Sequence, residues 1–114
     1  MLNTNLPHLE SLDEYNKLID EKGKFVVACG RMGPMCIPVY DAMDNLSSKY
    51  SDVKFMDMDF DTPTAMKTIR SLPEVRSFNG LPFTVYFNEG KVVAATTSIQ
   101  TKAQIKEILN SKLA

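Results

Sequence analysis

The chain has 114 residues, 44% of them hydrophobic and 24% charged, which suits one globular domain over 1–114 and leaves no room for two. Thirteen basic against 14 acidic residues give a net charge of -1, which offers nothing to nucleic acid or to an anionic membrane surface. Two cysteines are too few for a disulfide-stapled scaffold, no apolar run reaches the length of a membrane span, and residues 1–5 lack the basic and apolar regions of a signal peptide, so the expected location is the cytoplasm.

In chain order, Leu6 to Leu9 read as a short edge strand, because Pro7 suits an edge and not a sheet centre. His8, the only histidine, is expected to be a solvated surface residue. Ser11 with Glu14 forms a capping box for a helix whose Leu12, Tyr15, Leu18 and Ile19 share one face, stopping at Lys22-Gly23. Phe25 to Cys29 is apolar without alternation, the pattern of a strand buried on both faces. A loop from Gly30 to Met35 then leads into a helix running to about Tyr50. Cys36, Val39, Met43, Leu46 and Tyr50 repeat at helical spacing along its buried side. Pro34 suits its first turn, and Pro38 must lie near its start.

Val53 to Phe60 reads as the next strand. Asp61 or Thr62 caps a short helix with Pro63 in its first turn and Ala65, Met66, Ile69 and Leu72 on its apolar face. An irregular segment, Pro73 to Leu81, precedes the strand Phe83 to Asn88. Glu89-Gly90 turns that strand into a partner, Lys91 to Thr97. Thr101 caps a last helix with Ile105, Ile108, Leu109 and Leu113 buried. The order β-α-β-α-β-α-β-β-α predicts an α/β fold: a mixed central sheet with helices on both faces.

That order, the strand feeding Gly33-Pro34 at a helix start, the hairpin around Glu89-Gly90 and the tail Ala103-Gln-Ile-Lys-Glu-Ile-Leu resemble the thioredoxin family over nearly the whole chain. The resemblance implies a thioredoxin-like fold with a cis peptide between Leu81 and Pro82, and a groove there whose backbone takes an extended substrate peptide. The family's Trp-Cys-Gly-Pro-Cys motif is absent. Aligned on Gly33-Pro34, Met32 and Met35 fill the two catalytic positions; aligned on the helix stripe, Cys36 takes the second and Gly33 the first. The buried acid of many relatives falls at Val26.

Two readings of the cysteines follow. In one, the protein is an atypical thiol–disulfide redox protein. Cys36 is then the reactive thiol at a helix N-terminus and Cys29 its possible resolving partner, which requires their Cα atoms within about 7 Å. Protein thiols and disulfides are its substrates and a thioredoxin-reductase-type donor serves it, with no cofactor and a monomeric state. In the other, both cysteines are small buried hydrophobes. The chain is then a redox-inactive binding module that holds a protein partner with Met32, Gly33, Pro34, Met35, Leu81 and Pro82. The sulfur run Cys-x-x-Met-x-x-Met-Cys has soft ligands of the kind Cu(I) favours, but matches no established site spacing, and no metal is assigned.

Overall fold

Strand β1 (Lys24–Gly30) is buried along almost its whole length, and the other elements are laid around it. The protein is described here by a computed structural model covering residues 2–114. On one side β1 pairs in parallel with β2 (Val53–Asp59); on the other it pairs antiparallel with β3 (Phe83–Asn88), which continues to the edge strand β4 (Lys91–Thr97). The sheet order is β2-β1-β3-β4. The four helices are α1 (Leu12–Glu21), α2 (Ile37–Ser47), the five-residue α3 (Pro63–Lys67) and α4 (Lys102–Lys112).

Alternation along the strands sorts the core into two layers. Val26, Ala28, Phe55 and Tyr86 face α2 and α4, meeting Val39, Tyr40, Met43, Leu46, Ile105 and Leu109. Phe25, Val27, Cys29, Met58, Val85 and Phe87 face the opposite way, toward Leu18 of α1 and Ala65 of α3. Phe25 and Phe87 stack there at 4.2 Å. Helices therefore cover both faces, as the element order predicts.

Local chemistry accounts for most boundaries. Ser11 accepts the Glu14 N–H at 3.1 Å, while the Glu14 carboxylate reaches past the cap to the Glu10 N–H. Thr101 and Gln104 make the full reciprocal capping box of α4. Glu89 and Gly90 both have positive φ, the two-residue turn whose twist suits a hairpin.

Five expectations need correction. Leu6–Leu9 forms only one parallel bridge, His8 to Asp57, with backbone bonds from Asp57 N to Pro7 O and from Leu9 N to Asp57 O; Pro7 has no N–H with which to lengthen the ladder. At the end of α1 the left-handed residue is Lys22 and not Gly23. Helix α2 begins at Ile37, because residues 34–36 form a turn closed by Cys36 N and Ile37 N on Gly33 O; Pro38 falls in the first helical turn. Met66 is exposed, since α3 ends at Lys67 and the non-helical backbone of Thr68 directs Ile69 into the core instead. His8 is not a free surface residue: its Nδ1 lies 2.6 Å from Oδ1 of Asp57.

Asp57 is fully buried, and its other oxygen accepts the Thr4 hydroxyl. A buried carboxylate is tolerated only with such partners. Together they fasten the segment from Thr4 to Leu9 to the outer edge of β2. Replacing Asp57 by Ala strands the His8 ring and the Thr4 hydroxyl, and the expected loss is about 2–3 kcal/mol. Urea unfolding checks this: the midpoint should fall with little change in slope.

Candidate functional site

The candidate site lies at the end of the sheet where β1 finishes and β3 begins. Three groups close on Gly30, the last residue of β1. A Cβ at Gly30 would lie 2.7 Å from the Tyr40 hydroxyl, 2.9 Å from Cys36 Sγ and 2.9 Å from Pro82 Cβ. The Cys36 thiol, the α2 tyrosine and the proline at the head of β3 are thus packed into the space a side chain would fill. The Leu81–Pro82 peptide is cis.

Tyr40 is buried, and its hydroxyl donates to Arg31 O at 3.0 Å, tying the loop after β1 to α2. Burial and the neighbouring Cys36 push its phenol well above the usual range. Near Cys36 in the chain, Met32 and Met35 are 42% and 43% exposed, and Ile37 is exposed as well. Gly33 has open space around it, with no atom within 4 Å of where a Cβ would stand. Cys36 itself is only 3% exposed and caps α2 without a side-chain bond.

The structure does not bring the two cysteines together. Cys29 follows Phe25 and Val27 onto the α1 and α3 face, whereas Cys36 belongs to the α2 and α4 face, with the sheet between them. Both are free thiols. Burial pushes the Cys29 thiol up to about 12, so it is held protonated and unreactive. Cys36 thus stands at the Gly30 convergence, and Cys29 lies in the core layer of α1 and α3.

Val26 occupies the place expected for a buried acid and is fully buried between Phe55 and Tyr86 in register. The one fully buried acid among the described residues is Asp57, on the next strand. Sequence reading missed it, although Val53-x-Phe55-x-Asp57 places it on the inward step of β2. It also missed a cluster on the other side of the sheet end. Arg31 forks onto Asp61 at 2.7 and 2.8 Å, and this pair holds the Asp61 carboxyl below the usual carboxylate range. Both Arg31 and Arg70 lie over the Phe60 ring, at 5.2 and 3.9 Å from its centre. Among the described residues no group of three or more His, Cys, Asp or Glu side chains is placed to hold a metal ion. No helix among them is long and apolar enough to cross a membrane.

No protein-family model matches the chain, and no curated protein matches it in sequence. Solved structures do match in shape. Mitochondrial thioredoxin 3 of Saccharomyces cerevisiae, in its oxidised form, is 23% identical over 92% of this chain and 94% of its own, with a TM-score of 0.73. Thioredoxin of Fasciola hepatica is 18% identical over 94% and 99%, at 0.76. Oxidised thioredoxin of Plasmodium falciparum is 13% identical over 96% and 100%, at 0.75. The chain has the thioredoxin-like fold, and the likeness extends over nearly its whole length.

Two outcomes follow from the packing. Gly30→Ala forces a methyl onto Tyr40, Cys36 and Pro82 and should cost about 1–3 kcal/mol, whereas Gly33→Ala enters open space and should cost far less; thermal unfolding of the pair reads the difference. Because the Cys29 thiol is raised in the folded state, the unfolded chain loses that proton first. The resulting stability is complete below pH 9 and drains away as pH rises toward 12. Cys29→Ala should flatten this part of the stability profile relative to the parent, as followed by urea titrations across that window.

Proposed function

We propose that this chain is a thiol–disulfide exchange protein that works through a single thiol, Cys36, on an extended segment of a protein partner. The observation that carries the reading is the convergence on Gly30, which sets Cys36 Sγ beside Pro82 at a helix N-terminus. Only the thiolate form of a cysteine attacks a disulfide. In the forward step Cys36 sulfur attacks one sulfur of a partner disulfide. The Cys36–partner bond forms, the partner's own bond breaks, and the departing sulfur takes up a proton. A second thiol, from the partner or from a reductase-type donor, then attacks the mixed disulfide and releases Cys36 reduced. Cys29 takes no part. Met32, Gly33, Pro34, Met35 and the Leu81–Pro82 backbone form the face that receives the segment, and the cytoplasm, where thiols stay reduced, suits a protein with two free cysteines.

A second reading keeps the face and drops the chemistry. It is favoured by the near-complete burial of Cys36 and the exposure of its chain neighbours Met32, Met35 and Ile37, which suits apolar docking without turnover. The two part cleanly in an insulin-reduction assay with dithiothreitol. Under the exchange reading the parent accelerates reduction, Cys36→Ser brings it to background, and Cys29→Ala keeps most of it. A parent with no activity, whose two thiols are alkylated only after denaturation, leaves the binding module standing instead.

A further inference from the structure

All three arginines of the sequence gather at one place, the Phe60 side of the sheet end, while its ten lysines lie elsewhere along the chain. There an open cleft of about 470 Å³ is lined by Phe60, Arg70, Ser71, Arg76, Phe78 and Phe83. Its floor is aromatic: Phe83 meets both Phe60 and Phe78 edge to face. Phe83 directly follows Pro82, so the cleft adjoins the peptide face described above.

The charges in this cleft are unequal. Arg31 is taken up by its two bonds to Asp61. Arg70 lies over Phe60 and spends one N–H on Phe60 O at 3.1 Å, and its charge also acts on Asp61 without a direct bond to it. Neither Arg70 nor Arg76 has a carboxylate within 4 Å among the described residues. Two guanidinium groups over an apolar floor, one of them already immobilised, match a carboxylate carried on a chain with apolar neighbours.

We infer that this cleft is a carboxylate-binding subsite, and that the partner segment carries a Glu or Asp side chain that Arg70 and Arg76 grip. The inference rests on the proposed use of the Pro82 face, and it adds a charge preference that the face alone does not give. The net charge of -1 gives the molecule no general attraction for an acidic segment, so the preference is a local one.

The test uses the full chain with Cys29→Ala and blocked pentapeptides Glu-Val-Cys-Val-Glu, Gln-Val-Cys-Val-Gln and Lys-Val-Cys-Val-Lys, each activated as its pyridyl disulfide. Attack by Cys36 forms the protein–peptide disulfide and expels pyridine-2-thione, which is read by absorbance. The Glu probe should react about tenfold faster than the Gln probe at low salt, and the Lys probe more slowly than either. The Glu-to-Gln ratio should fall toward one in Arg76→Gln, at an exposed position outside the core, and in Arg70→Gln. Equal rates for Glu and Gln probes, or a ratio unmoved by both substitutions, would overturn the subsite and leave the exchange reading intact. If no probe reacts, exchange fails; the same peptides with serine for cysteine, carrying a fluorophore and followed by anisotropy, then score the cleft alone by the same Glu-to-Gln comparison.

Discussion

The arrangement at the working end of this protein depends on one missing side chain. Gly30 ends the central strand, and Tyr40, Cys36 and Pro82 all occupy the volume that any other residue would need. Cys36 and Tyr40 come from the N-cap and first turn of α2 and Pro82 from the head of β3, so the glycine lets the start of α2 and the start of β3 close on a common point. The consequence is a thiol seated against a proline, with a tyrosine hydroxyl at its side that also holds the loop through Arg31 O. Close packing leaves little freedom for any one of these groups to move without the others.

The separation of the cysteines follows from handedness. The lead-in segment lies outside β2, and β1 lies inside it, so the crossover through α1 runs inward and the crossover through α2 runs back out. Right-handed crossovers in opposite directions put their helices on opposite faces of the sheet. Helix α2 brings Cys36 to one face, and the alternation of β1 turns Cys29 to the other. Two thiols with six residues between them therefore end on opposite sides of a sheet.

Much of this was legible in the residues. The apolar run from Phe25 to Cys29, the caps at Ser11, Thr62 and Thr101, and the Glu89-Gly90 turn mark the elements because each rests on local backbone chemistry. What the residues did not give were relations across the fold. His8 looked solvated because its partner, Asp57, lies 49 positions away and meets it only through the edge bridge. Met66 fits the apolar spacing of a longer helix, but α3 stops after five residues, and the period that would bury it ends with the helix. The placing of the two cysteines in different core layers was hidden for the same reason: spacing along the chain carries no sign for the face of a sheet.

The choice of arginine over lysine at the Phe60 cluster matters for what this end can recognise. A guanidinium can lie flat on a ring and still present N–H groups at its edge, whereas a compact ammonium satisfies one direction at the expense of the other. Arg70 does both, stacking on Phe60 while bonding to its carbonyl. The two sides of the sheet end thereby differ in kind. Met32, Met35 and Ile37 offer exposed apolar side chains around Cys36 in the chain, and the Phe60 cluster offers positive charge on an aromatic floor. On the proposed reading, a partner segment crossing from one to the other would meet different chemistry at each end, and the face would fix the direction in which it lies, a constraint that backbone pairing at Leu81–Pro82 would not supply.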